Sequence, residues 1–241
     1  MSAQNKWFHS DYAAQYIERE RQYLQIALRQ SAGPTALQVG RLLESRIVEE
    51  LDLPFLAKAS QNSRLPADLF ADAAFLPFPE KSLSTVLLPH VLEGHELPHQ
   101  VLREAHRVLQ SDGHLVLTGF NPFSALGLQR RIYTRSALAG RYYTSRRVID
   151  WLQLLGFEVV GSAMYQYGPL SKSLRLDKSF AFLESIGDRW LPMLGGAYMI
   201  TAKKRDPGMT MLGLHKYRRP RAKLATAAPA KTSIHSNRIE R

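Results

Sequence analysis

The run Ala71-Asp72-Ala73-Ala74-Phe75-Leu76-Pro77-Phe78-Pro79, followed after three polar residues by Leu83-Ser84-Thr85-Val86-Leu87-Leu88-Pro89-His90-Val91-Leu92-Glu93, decides how this chain folds. Ser84 to Leu88 is short, apolar and β-branched, as a strand buried on both faces of a parallel sheet must be. Leu97 to Gln110 is an amphipathic helix with Val101, Leu102, Ala105, Val108 and Leu109 on one side. Ser111-Asp112-Gly113 stops it, and His114 to Thr118 starts the next strand. Strand, helix and strand in this order form the crossover unit of a parallel sheet.

The same alternation extends in both directions. Thr35 to Val39 is a strand candidate, followed by Gly40 and a helical stretch from Leu42 to Leu51. Leu53 to Ala59 is a second strand, in spite of Pro54, and Ala67 to Ala71 a third. Downstream lie a helix from Ser145 to Leu155, its Gly156 stop, and the strands Phe157 to Met164 and Ala197 to Ala202. The expectation is an α/β fold with a mostly parallel, seven-stranded sheet and helices on both faces. Ahead of it, Ser10 to Gln30 reads as an amphipathic helix presenting Tyr12, Tyr16, Tyr23 and Ala27, stopped by Gly33-Pro34. The expected organisation is a helical segment at 1–33, a domain at 34–205, and a basic, disordered tail at 206–241. The aromatic- and arginine-rich stretch 120–143 is an insertion after a strand end, either a roof over a site or a packed loop.

Composition narrows the function classes. The chain of 241 residues carries a net charge of +11, but its last 39 residues hold eleven basic groups against two acidic ones. The domain itself is therefore almost neutral, and nucleic-acid binding is expected only as weak contacts of the tail. There is no cysteine, which removes disulfides and thiolate metal sites and fits a reducing compartment. With no apolar stretch of spanning length, the expected location is the cytoplasm.

Residues 71 to 119 closely resemble the central block of the class I S-adenosylmethionine-dependent methyltransferases, in their type 11 group. The shared features are the Asp72-Ala73 pair, Leu76-Pro77-Phe78, the strand, Leu92-Glu93, a helix ending Arg107-Val108-Leu109, and Gly113 before the next strand. More loosely the resemblance covers residues 35 to 203. It is nearest to a bacterial subset sharing Leu-Pro-His-Val-Leu-Glu (88–93) and Thr-Gly-Phe-Asn-Pro (118–122). It implies a Rossmann-like sheet and S-adenosylmethionine as cofactor. Asp72 would accept from the adenine amino group, beside Ala73 and an apolar wall of Leu76, Pro77 and Phe78; on residue chemistry alone Asp72 equally suits a turn cap. Gly40 and Pro89 would border the cofactor, Gly40 where the family keeps its glycine loop.

The pattern is broken in two places. The loop reads Leu37-Gln38-Val39-Gly40-Arg41-Leu42-Leu43-Glu44, so Gly40 alone survives of the glycines and Gln38 stands for the usual acid. Between Leu53 and Ala67 no carboxylate is available for the ribose hydroxyls, which leaves Ser60, Gln61 or Asn62 as neutral substitutes.

For chemistry, His90 is the expected base or substrate-positioning residue, at the strand end where acceptor and cofactor should meet, unless it merely caps the next turn. Glu93, His95 and His99 follow, but the spacing matches no zinc motif and no metal is expected. Arg130, Arg131, Arg135, Arg141, Arg146 and Arg147 suit either an anionic substrate or a solvated face. The resulting expectation is a methyltransferase acting on a small molecule; the alternative is a non-catalytic module of the same fold that serves a protein partner.

Overall fold

The computed structural model describes residues 11–31, 33–40, 55–60, 67–124, 127, 140–166 and 195–206. The helix expected at 42–51, Gln61 and Asn62, most of the 120–143 insertion and the tail beyond Asp206 lie outside them. By its contacts the chain divides into two units, Met1–Gly208 and Met209–Arg241. Only the first contains described residues.

In chain order the described elements are α1 (Asp11–Ser31), β1 (Thr35–Val39), β2 (Phe55–Ser60), β3 (Leu69–Phe70), β4 (Leu83–Pro89), the short α2 (Val91–Gly94), α3 (Pro98–Val108), β5 (Leu109–Phe120), α4 (Ser145–Leu154), β6 (Phe157–Tyr165) and β7 (Ala197–Lys204). They build one seven-stranded sheet in the order β3-β2-β1-β4-β5-β7-β6. Strands β1 to β5 are mutually parallel, whereas β7 runs antiparallel between β5 and β6. The strand order reverses between β1 and β4, and at such a switch point ligands bind beyond the carboxyl ends of the strands.

Alternation along the central strands feeds two hydrophobic cores. Leu37, Val39, Val86, Leu88, Leu115 and Leu117 point to one face and pack with Val101, Leu102, Ala105 and Val108 of α3 and Val148 and Leu152 of α4. Ala36, Leu87, Val116 and Phe120 point to the other, where α1 lies. The buried face of α1 is Tyr16, Glu20, Leu24, Ala27, Leu28 and Ser31, at helical spacings of three and four. It keeps Tyr16 and Ala27 of the expected face, leaves Tyr23 half-buried, and includes a charged residue that a hydrophobic pattern does not mark.

Strand β5 differs from expectation. Helix α3 ends at Val108, and Leu109 already pairs with Leu83, while Thr85 pairs with His114, so β5 carries a bulge. The Ser111-Asp112-Gly113 run read as a helix stop is part of that bulge. Asp112 takes a φ of 62° there, and its carboxylate meets Lys203 at 3.0 Å and Arg205 at 2.6 Å. Buried Lys204 closes the same corner, its Nζ donating to the carbonyls of His106 and Leu109 at 2.7 Å each. It thereby satisfies carbonyls at the end of α3 that have no intrahelical partner.

One further staple orients the site. The Glu104 carboxylate on α3 accepts from the Leu76 amide at 2.8 Å and from Arg107 at 2.7 and 2.9 Å. Arg107 in turn donates to the carbonyls of Leu76 and Phe78. Leu76 to Phe78 is thus tied to a rigid helix rather than left as a loop, and the bonds to Arg107 hold the Glu104 carboxyl below its usual range.

Candidate functional site

Four strand ends converge at the switch point. At the end of β1, Gly40 has φ +91°, a conformation side-chain-bearing residues rarely adopt, and its amide donates to Ala59 at 3.0 Å. A Cβ there would lie 2.5 Å from Val91 Cγ2 and 3.5 Å from the Pro89 carbonyl. The glycine therefore lets the β1 turn press against the residues that follow β4. Ser60 ends β2 and is buried, and its carbonyl accepts from the Ala71 amide at 3.1 Å. That bond carries the chain directly into Asp72 and Ala73. Gly40, Ser60, Asp72, Ala73 and Pro89, singled out along 50 residues of sequence, thus stand along the carboxyl edge of β1 to β4.

Asp72 forms an Asx turn, its Oδ1 accepting from the Ala74 amide at 2.8 Å, and the same oxygen accepts from His95 Nε2 at 2.8 Å. His95 Nδ1 accepts from the Leu97 amide, which fixes the tautomer with its proton on Nε2. Ala73 is buried against the core, and Leu76 beside it is held by the Glu104 staple.

His90 sits at φ 50° and ψ 30° on the N-terminal side of α2, a strained position of the kind found at functional sites. It does not cap the helix with its side chain. The ring is almost wholly buried between two carboxylates: Nδ1 lies 2.9 Å from Glu93 Oε1, and Nε2 lies 3.1 Å from Glu20 Oε1 and 2.9 Å from the Tyr16 hydroxyl. Burial alone would lower its pKa, but the fields of Glu20 and Glu93 and their hydrogen bonds outweigh that and raise it to about 10. At neutral pH the ring is thus an imidazolium donating from both nitrogens, and it has no lone pair with which to act as a base. Glu93 Oε1 also accepts from the Phe120 amide at 2.7 Å, and Glu20 Oε1 from the Tyr165 hydroxyl at 3.2 Å. Burial first, then the Glu20 carboxylate, push the hydroxyls of Tyr16 and Tyr165 well above their ordinary value, so both remain protonated donors.

Glu20, Tyr16 and Tyr165 did not figure among the sequence candidates. The one available signal was the position of Glu20, a turn from both Tyr16 and Leu24 on the apolar side of α1. The remaining candidates lie elsewhere. His99 packs on Trp151 with ring centroids 4.1 Å apart, and Arg147 lies over the same indole at 5.3 Å. Arg130, Arg131 and Arg135 fall outside the described residues. Asn121 joins the strand ends structurally, its side chain donating to Gly195 and accepting from Phe123. Among the described residues no group of three or more His, Asp or Glu is arranged to hold a metal, and no helix is long and apolar enough to cross a membrane.

Comparison with known proteins agrees with this geometry. Residues 33–117 match the family model described as a methyltransferase domain. YafS of Escherichia coli (strain K12), a protein described as uncharacterized, is 34% identical over 168 residues; the match takes in 68% of this chain and 66% of YafS. The chain thus spans about two thirds of that relative. An S-adenosylmethionine-dependent methyltransferase from Archaeoglobus fulgidus superposes with a TM-score of 0.54 at 17% identity, over 76% of this chain and 94% of that one. The [4+2]-cyclase SpnF shares the fold with a TM-score of 0.51 at 16% identity, over 77% and 80%. Residues 33–117 thus match a methyltransferase domain, and the chain shares its fold with S-adenosylmethionine-dependent methyltransferases.

Proposed function

We propose that the chain transfers the methyl group of S-adenosylmethionine to a small-molecule acceptor, with the cofactor along the carboxyl edge of β1 to β4 and the acceptor beside His90. The observation that carries this is the convergence of Gly40, Ser60, Asp72 and Pro89 at the one place where the strand order reverses. The residues suit the cofactor. Gly40 supplies a backbone without Cβ, and the Asp72–Ala73 turn offers a carboxylate and an amide to an adenine edge. The stapled Leu76 to Phe78 segment offers an apolar wall, and Ser60 a hydroxyl near the place of the ribose.

When bound, the cofactor supplies a sulfonium-activated methyl group, so the protein's task is to align the nucleophile and exclude water. His90 then acts as a positioning residue: its imidazolium fixes Glu20 of α1 and Glu93 of α2 in one buried arrangement and so seats α1 over the strand ends. Acceptance of a proton falls to those carboxylates rather than to the ring.

The second reading, a module of this fold without methyl transfer, is favoured by the engagement of Asp72 Oδ1 with both Ala74 and His95. Calorimetric titration with S-adenosylmethionine and S-adenosylhomocysteine, on the wild type and Asp72→Ala, separates the two. Binding that weakens by about tenfold or more in the variant, about 1.4 kcal/mol, supports the enzyme. No binding of either compound at millimolar concentration favours the module.

A further inference from the structure

We infer that the buried polar cluster beneath α1, formed by Glu20, Glu93 and Thr118 around His90, is the acceptor subsite and selects a protonated amine on an aromatic or apolar frame. This rests on the methyltransferase function proposed above and adds the class of acceptor. Among the described residues three buried oxygens have no hydrogen-bond partner: Glu20 Oε2, Glu93 Oε2 and Thr118 Oγ1. Their residues are 0%, 5% and 1% exposed. They come from three separate elements, α1, α2 and β5. Thr118 lies on the same face of β5 as Val116 and Phe120, the face covered by α1, and its carbonyl accepts from the His90 amide.

A buried polar atom without a partner is rare, and each one has a cost that a ligand can remove. The hydrogen bonds that the described donors make to these carboxyls go to the other oxygens. His90 donates to both Oε1 atoms, the Tyr165 hydroxyl to Glu20 Oε1 and the Phe120 amide to Glu93 Oε1. What remains is acceptor capacity, since a carboxylate only accepts. The side chains around the ring point the same way. Two acidic side chains bracket one histidine, which makes the surroundings favourable to a cation. A group with several N–H donors and one positive charge, which a protonated amine is, suits both features. Beside the cluster Tyr16, Phe120 and Tyr142 follow one another at centroid separations of 5.6 and 5.3 Å, an aromatic neighbourhood of the kind that favours a cation. Of the arginines near the 120–143 insertion, Arg147 is engaged with Trp151 on α4, and Arg141 and Arg146 are exposed.

The test uses the full chain saturated with S-adenosylhomocysteine and titrated calorimetrically with phenethylamine, 2-phenylethanol and 3-phenylpropionate, which share a frame and differ in head group. The amine is expected to bind about tenfold or more tighter than the alcohol, and the acid weakest. Glu20→Gln should reduce the preference for the amine over the alcohol by about tenfold, and Thr118→Val by about threefold. Thr118→Val is nearly isosteric and decides the matter if Glu20→Gln does not fold. Equal binding of amine and alcohol, or a preference that neither variant reduces, overturns the subsite and leaves the three oxygens as internal structure only. If S-adenosylhomocysteine itself does not bind, the proposed function fails. The amine preference, measured without it, then judges the buried cluster alone.

Discussion

Replacing His90 by Gln removes the cation that lies between Glu20 and Glu93, and the consequence can be followed with pH. In the folded protein the ring titrates near 10, against about 6.5 in an unfolded chain. Between those values the folded state holds one proton more than the unfolded state. Stability from this group is fully present below about pH 6.5, falls by about 1.4 kcal/mol per pH unit above it, and is gone once pH has risen through 10. From pH 7 to pH 9 the wild type should therefore lose about 2–3 kcal/mol that His90→Gln does not lose. Removal of one partner from a buried pair costs about 3–5 kcal/mol, so the variant should be weakened by about that much at pH 6.5 to 7 and by much less at pH 9. The groups that face the ring are Glu20, Tyr16, Tyr165 and Glu93, and Tyr198 lies in the field of Glu93. The raised hydroxyls of Tyr16, Tyr165 and Tyr198 add an alkaline loss of their own only above pH 10. His106 and His114, both lowered first by burial, affect only the acid side. Urea unfolding of both proteins at pH 6.5, 7.5, 8.5 and 9.5 measures the difference directly. A gap that stays constant across this range, or one below about 1 kcal/mol throughout, would refute the view of His90 as a buried imidazolium.

Four further outcomes follow from the geometry. Lys204→Met should cost about 2–3 kcal/mol in thermal or urea unfolding, because two buried carbonyls at the end of α3 lose their donor. Gly40→Ala should destabilise by about 1–3 kcal/mol through its left-handed φ and the contact with Val91, and should weaken S-adenosylhomocysteine binding in the same preparation. Glu104→Ala should cost about 2–3 kcal/mol, leaving the Leu76 amide unpaired, and should loosen Leu76 to Phe78 as judged by faster amide exchange there. In contrast Glu18→Gln, which removes an exposed pair with Arg21, should change the unfolding midpoint by no more than about 0.5 kcal/mol.

The sequence by itself determined the architecture, because periodicity is a local property. The buried run Ser84–Leu88, the amphipathic turn pattern of Val101, Leu102, Ala105 and Val108, and the strands near 35, 114, 157 and 197 fall within the elements observed. The Asp72-to-Phe78 block falls at the carboxyl edge of the sheet, where the cofactor is proposed to lie. It could not show that Leu109 to Gly113 join β5 as a bulge, since a turn tripeptide serves a helix stop and a strand kink equally well. Nor could it show β7 entering between β5 and β6, which depends on non-local pairing. The buried cluster around His90 was the least legible part. Glu20 and His90 are 70 positions apart in the chain, Tyr16 and Tyr165 are 149 apart, and each residue taken alone suits a solvated helix face, a turn or a strand end. Only the docking of α1 on the strand ends buries them together. Burial turns a surface glutamate and an ordinary histidine into a charged pair, because removing water magnifies the field each feels from the other.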